Sequence, residues 1–288
     1  MRSTHKVRIA IQKSGRLYDE SIRVLKECGI EFENGMKKLK SSAINFPLEV
    51  LFLRDDDIPR YVGQGVADIG IVGENVLAES GVAVRVVDEL GFGKCRLSIA
   101  VPKEKDYTGI SDLNGIRLAT TYPVVLEKFL AERNINAEIT TISGSVEIAP
   151  GIGLADAICD IVSSGSTLFS NGLKEVETVM HSQAVLIAKR ELPADTEQII
   201  NRLLFRMRAV RKAAHNKYVL LNAPNSKLAE VCSLIPGMKS PTILPLAEAG
   251  WSSVHSVIEE DRFWEIIENL RDAGAEGILV VPIEKMVI

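Results

Sequence analysis

Apolar residues in the first ninety positions follow two alternating periodicities. Short runs rich in branched apolar residues have strand length: "KVRIAIQ" (Lys6–Gln12), "EVLFLR" (Glu49–Arg54), "ADIGIVG" (Ala67–Gly73) and "VAVRVVDEL" (Val82–Leu90). Helical periods lie between them. In "LYDESIRVLKECG", Leu17, Ile22, Val24 and Leu25 fall near one helical face and Gly29 can end the helix, while "DDIPRYVGQG" and "ENVLAES" are further helix candidates. Strands alternating with helices predict an α/β fold with a parallel or mixed sheet under helices.

A second unit of the same kind begins near "GFGKCRLSIAVP" (Gly91–Pro102). It continues through the strands "RLATTY", "AEITTIS" and "ADAICDIV", the helix "PVVLEKFLAERN" and a helix start after "SSGST". "ETVMHSQAVLIAK" (Glu177–Lys189) reads as one returning strand. "DTEQIINRLLFRMRAVRKAAHN" predicts a long amphipathic helix with Ile199, Ile200, Leu203, Leu204, Met207 and Val210 as its buried stripe. From about Asn216 the order becomes β-α-β-β-α-β, that of a ferredoxin-like unit.

Composition narrows the classes. With 288 residues, 46% hydrophobic and 25% charged, the chain is expected to be soluble and globular, with two or three domains. A formal net charge of -4 argues against a nucleic-acid surface. The lysines of "GMKKLK" (Gly35–Lys40) read most simply as a solvated face. The apolar core "VRIAI" is too short for a signal peptide, and no apolar run has the length of a membrane span. A cytoplasmic protein without membrane contact is therefore expected. The four cysteines are dispersed with no CxxC, and the four histidines show no HxxxH, so neither a disulfide frame nor a tight transition-metal site is expected.

Two corners carry candidate chemistry. "DIVSSGSTL" runs from a strand into small hydroxyl residues around Gly165. Backbone N–H groups there, with the hydroxyls of Ser163, Ser164, Ser166 and Thr167, suit an anion, and Asp160 suits a sugar hydroxyl. The same residues also suit an ordinary helix cap. "QKSGR" places Lys13 and Arg16 beside Gly15, a cationic corner fit for phosphate or pyrophosphate, or an exposed loop. "RDDDIP" is most simply an acidic first helical turn, with a magnesium role a weaker reading. "GKCRL" puts Lys94 and Arg96 near a cleft between the two units. Glu147 is a cleft acid or a helix-start carboxylate. No GxxxxGK[ST], GxGxxG or GxSxG pattern is complete.

The stretch "EIAPGIGLADAICDIVSSGSTL" (Glu147–Leu168) resembles the signature of the ATP phosphoribosyltransferase family, the first enzymes of histidine biosynthesis. Glu147, Gly153, Ala155, Ile158, Asp160, Ile161, Ser164, Gly165, Thr167 and Leu168 fill its fixed places. "QKSGRL", "LRDDDIP", "ADIGIVGENVL", "CRLSIA" and "NGL" also look like that family, in order. "PTILPLA" and "ILVVPIEKM" look like the regulatory domain of the long form, which works without a separate partner subunit.

The resemblance implies a two-lobed catalytic core like the type II periplasmic binding proteins, with a C-terminal ferredoxin-like (ACT-like) α+β regulatory domain. Lobe I would cover residues 1–92 with a return segment at about 180–210, lobe II residues 93–179, and the regulatory domain residues 216–288. The implied reaction transfers phosphoribose from phosphoribosyl pyrophosphate (PRPP) to N1 of ATP's adenine, with magnesium assisting and pyrophosphate leaving. Lys13, Arg16 and Glu147 would be catalytic. Asp160 and the Ser163–Thr167 loop would hold PRPP, and Gly15 and Arg96 would fall in the ATP and pyrophosphate region. L-histidine would inhibit at a pocket containing Asn222, Met238 and Thr242. The long form implies a homo-oligomer, a hexamer built from dimers, in which Lys37 or Lys38 could reach a neighbouring subunit's site. A two-lobed solute-binding protein and a silent regulatory subunit are the alternatives. The first usually carries an export signal, and the second need not keep Glu147, Asp160 and the hydroxyl run together.

Overall fold

The computed structural model describes residues 6–33 and 39–287. Lys37 and Lys38 lie outside the described residues. The chain packs as two compact units, Met1–Asn201 and Arg202–Ile288.

In the first unit the elements run β1 (Val7–Gln12), α1 (Arg16–Glu27), β2 (Lys40–Ser42), β3 (Leu48–Leu53), α2 (Ile58–Gly63), β4 (Ile69–Gly73), α3 (Glu74–Ser80) and β5 (Arg85–Glu89). They continue with β6 (Cys95–Pro102), β7 (Arg117–Thr120), α4 (Pro123–Ala131), β8 (Glu138–Thr141), β9 (Ala157–Val162), α5 (Ser166–Ser170), β10 (Leu173–Ser182) and β11 (Ala184–Ala188). The helix α6 (Ala194–Ala214) contains the division between the units.

Two mixed sheets result, each the core of a lobe. The first has the order β2-β3-β1-β4-β11-β5 and the second β10-β6-β9-β7-β8. β1 lies inside its sheet, parallel to β3 and β4, and Val7, Ile9, Ala10 and Ile11 are fully buried. A strand covered on both faces reads as a near-continuous apolar run, here interrupted only by the exposed Arg8, which is why the pattern located it. In the second sheet Leu97, Ile99, Leu118, Leu126 and Cys159 pack in one cluster that includes α4.

The returning strand differs from expectation. The sequence reads Glu177–Lys189 as one strand, but the chain forms two, in different sheets. β10 pairs antiparallel with β6, and β11 pairs antiparallel with β4 and β5. Gln183 makes the crossing: it accepts from the Glu74 amide at 3.0 Å, and its own amide donates to the Glu74 carboxylate at 3.0 Å. No Gly or Pro stands between Ser182 and Ala184 to mark this break, and which sheet each strand joins is a tertiary matter.

In the second unit β12 (Asn216–Pro224), α7 (Leu228–Leu234), β13 (Thr242–Pro245), β14 (Trp251–Glu259), α8 (Glu260–Asp272) and β15 (Glu276–Pro282) follow α6. The sheet order is β13-β14-β12-β15, all antiparallel, the arrangement of a ferredoxin-like fold. Val219, Leu221, Val254, Ile258, Phe263 and Leu270 form its core. The hydropathy pattern changes near Asn216, yet the packing divides at Arg202. The Met286 amide donates to the Ala209 carbonyl at 3.0 Å, tying the C-terminal segment to the later turns of α6. Among the described residues no helix is long and apolar enough to cross a membrane.

Candidate functional site

The cationic corner is built by the exit of β1. The Lys13 amide donates to the Leu53 carbonyl at 2.8 Å, extending the pairing with β3 one residue past the strand. Gly15 then adopts φ 92, a left-handed value that a side chain would resist, and α1 begins at Arg16. Lys13, Gly15 and Arg16 are exposed. The turn aims Arg16 at the other lobe, where its Nη1 donates to Ser163 Oγ at 3.1 Å. The two corners singled out in the sequence therefore meet.

On the far side β9 ends at Val162, and Ser163, Ser164, Ser166 and Thr167 are exposed. Gly165 takes φ 81 and opens α5, a helix of five residues with no side-chain cap at its start. The N-cap residue itself is therefore a glycine and not one of the hydroxyl residues. The hydroxyls engage both one another and the helix start: Ser164 and Ser166 Oγ lie 3.0 Å apart, and the Ser166 amide points at Ser164 Oγ at 3.4 Å. First-turn amides of a helix have no acceptor within it, so the loop can offer N–H groups to an anion.

Two carboxylates border this loop. Asp160 on β9 is partly buried, and its carboxyl is raised above the usual range chiefly by desolvation. The Ile161 amide, 2.8 Å from Oδ1, pulls it back down, and the charge of Glu147 pushes it up. Glu147 comes from a short 3-10 turn, Val146–Ile148, introduced by Ser145 at φ 50. Asp160 sits opposite Ser98 in the β6–β9 register, so the two side chains share a sheet face.

Arg96 lies at the same loop with its guanidinium already engaged. Nε and Nη2 each contact the Glu175 carboxylate at 2.5 Å, and Nη1 donates to the Ser163 carbonyl at 3.3 Å. Buried Ser98 adds a hydrogen bond to Glu175 at 2.8 Å. These bonds to Arg96 and Ser98 hold the Glu175 carboxyl below its ordinary range.

The lobes are also joined beside the cleft. Asn75 Nδ2 donates to Tyr122 Oη at 3.0 Å, and Glu79 accepts from the Val124 and Val125 amides. Burial raises the Tyr122 hydroxyl, with the charges of Asp160, Asp55 and Asp56 adding to the rise. Asp55–Asp57 form a 3-10 turn ahead of α2. Sequence reasoning missed Asn75, Glu79, Ser98, Tyr122 and Glu175. The shared parity of Arg96 and Ser98 was visible, but the partners come from strands and helices remote in sequence.

In the second unit Asn222 and Thr242 lie on the sheet face opposite the core. Asn222 pairs with Ser253 and Thr242 with His255, and Tyr218 Oη lies 2.9 Å from His255 Nδ1 on that face. Met238 is exposed in the segment before β13 and borders a cavity of about 370 Å³ with Gly237, Val257 and Arg262. Among the described residues no three His, Cys, Asp or Glu side chains cluster as a metal site.

Comparisons with known proteins agree over most of the chain. The family model "ATP phosphoribosyltransferase" matches residues 54–209, and the model "HisG, C-terminal domain" matches residues 213–285. A protein named ATP phosphoribosyltransferase from Cytophaga hutchinsonii is 62% identical over 281 residues, covering 98% of each chain. One of the same name from Bacteroides thetaiotaomicron is 56% identical, covering 98% of this chain and all of the relative. Among solved structures, an ATP phosphoribosyl transferase (HisG:HisZ) complex from Thermotoga maritima is similar with a TM-score of 0.60 and 26% identity, over 70% of this chain and 98% of that one. A histidine kinase sensor domain similar to periplasmic binding proteins shares the fold, with a TM-score of 0.51 at 12% identity over 73% of this chain and 92% of that one.

Proposed function

The chain belongs to the ATP phosphoribosyltransferase family, a family of pentosyltransferases, and from that premise we propose that its cleft transfers phosphoribose from PRPP to N1 of ATP in histidine biosynthesis. The observation that carries this reading is the meeting of the two corners: Arg16 reaches Ser163 from the opposite lobe. A substrate with a phosphate at one end and a pyrophosphate at the other needs anion-binding groups on both walls. The loop from Ser163 to Thr167 receives the 5-phosphate through its amides and hydroxyls. Lys13 and Arg16 receive the pyrophosphate, with Gly15 letting the backbone approach closely, and their charge stabilises the leaving group as the bond to C1 breaks. Asp160 accepts hydrogen bonds from the ribose hydroxyls. Glu147, beside it, binds the sugar or takes a proton. Arg96, gripped by Glu175, donates to the carbonyl of the first loop residue, Ser163.

Magnesium is part of this proposal. It commonly keeps one or two carboxylates and otherwise takes substrate oxygens. Asp160, beside the loop, would hold such a cation delivered with the pyrophosphate. Bound there, it would supply charge neutralisation for the leaving group.

The second unit is read as the regulatory domain. L-histidine would be taken up near Asn222, Met238 and Thr242, and the chain would assemble as a homo-oligomer without a separate regulatory subunit. The match of residues 213–285 to the family's C-terminal domain supports this. The test is to incubate the protein with ATP, PRPP and magnesium and follow absorbance at the adenine band. Phosphoribosyl-ATP should accumulate, and L-histidine should slow it. Binding of ATP or PRPP without product would instead favour a binding module.

A further inference from the structure

Two arginines in the second lobe are held in the same way, at opposite ends of β9. At the start of the strand, Arg117 Nε and Nη2 grip the Asp156 carboxylate at 3.2 and 2.9 Å, and Nη1 donates to the Gly153 carbonyl at 3.0 Å. At its end, Arg96 Nε and Nη2 grip Glu175, and Nη1 donates to the Ser163 carbonyl at 3.3 Å. A bidentate arginine–carboxylate pair fixes the plane of the guanidinium, and the remaining nitrogen is then aimed rather than free to swing. Each arginine thus uses a carboxylate as an anchor and its spare nitrogen to pin a loop carbonyl.

The upper bracket is more firmly built. Ser98, 1% exposed, donates to the same Glu175 oxygen at 2.8 Å, so the carboxylate on β10 is held by two side chains of the neighbouring strand β6. Asp160 lies opposite Ser98 in register, and Ser163 is also the residue that Arg16 reaches from the other lobe. The first residue of the loop is therefore held by its carbonyl from below and met at its hydroxyl from across the cleft. Three of the five N–H donors of Arg96 are committed in this way.

We propose that Glu175, acting through Arg96, is a positioning residue for the Ser163–Thr167 loop. Its carboxylate fixes the guanidinium that pins the Ser163 carbonyl, and so sets where the loop amides meet the phosphate of PRPP. Neither Glu175 nor its role is apparent from the signature, since it stands on β10 beyond it. The inference rests on the reading of this loop as the phosphate cradle.

Steady-state kinetics of the full-length protein test it with Glu175→Gln, Arg96→Gln, the double variant, and Asp156→Asn as the control at the other bracket. Glu175→Gln keeps the size of the side chain and removes its charge. The KM for PRPP should rise on the order of tenfold, the scale of one lost charge-assisted hydrogen bond, with the KM for ATP little changed. Arg96→Gln should give the same defect, and the double variant one no worse than either single, because both act through one contact. Asp156→Asn should leave the KM for PRPP as it is. Amide exchange of residues 163–167 in the ligand-free protein should quicken in Glu175→Gln and not in Asp156→Asn.

Additive defects would overturn the proposal, since they would mean that Arg96 touches substrate independently of Glu175. A KM for PRPP unmoved in an active Glu175→Gln protein would also overturn it. An inactive wild-type protein with unchanged loop exchange in the variants would sink both this proposal and the function it rests on. Inactivity with quickened exchange would sink the function alone.

Discussion

One carboxylate joins the two lobes beside the cleft. Glu79, near the end of α3 in the first lobe, accepts from the Val124 amide at Oε1 and the Val125 amide at Oε2, both at 3.0 Å. These amides belong to the first turn of α4 in the second lobe, which starts at Pro123. Such amides have no acceptor within their own helix, and α4 lacks a side-chain cap from its N-cap residue, Tyr122. Glu79 therefore caps a helix that it does not belong to. Replacing a capping residue by alanine costs about 0.5–2 kcal/mol, and loss of a negative charge at the positive end of the dipole overlaps with that figure. Glu79→Ala should accordingly cost the local structure about 1–2 kcal/mol, a factor of roughly 5–30 in the opening equilibrium. Native-state hydrogen exchange reads this directly, with the Val124 and Val125 amides exchanging faster by that factor. Glu79→Gln keeps one carbonyl acceptor and should lose about half. The Leu126 amide, bonded to the Tyr122 carbonyl at 3.1 Å, serves as the internal reference. Equal acceleration at all three amides, or none at Val124 and Val125, would refute the assignment of Glu79 as the cap.

Two further outcomes follow from single residues. Gly165→Ala meets open space, with only Val162 Cγ1 at 4.0 Å, so its cost is the backbone's alone at φ +81, about 1–2 kcal/mol. The KM for PRPP should rise while the KM for ATP holds, and equal changes in both would argue that the loop serves neither substrate selectively. Asp156 gives a pH signature: the Arg117 side chain, and then its amide, lower its carboxyl from 3.8 to about 2. A depressed carboxylate contributes stability above its unfolded value and loses it as pH falls through the folded one. The gap in melting temperature between wild type and Asp156→Asn should thus be constant above about pH 5 and close as pH approaches about 2. A gap independent of pH would show that Asp156 acts through packing and not charge.

Much of the fold, and the two corners of the candidate site, were legible in order along the chain. β1 and β4 announced themselves because strands covered on both faces are largely apolar, and Ile9, Ile69 and Ile71 are fully buried. The β-α-β-β-α-β order of the second unit was readable because each element there follows its own short-range period. The signature from Glu147 to Leu168 was legible because turn, strand and loop succeed one another without interruption.

What the sequence alone determined is local: which residues alternate, where glycine permits a left-handed turn at Gly15 and Gly165, and which small residues follow a strand. The tertiary structure decided everything that depends on partners distant along the chain. It split Glu177–Lys189 between two sheets, brought Arg16 to Ser163 across 147 residues, and set Glu175 beneath Arg96 across 79. The physical reason is common to all three. A side chain's own neighbours in sequence set its direction, but a hydrogen bond across the fold depends on which strands pair and in what register. That choice is made by burial of the whole sheet and not by the residues that later use it.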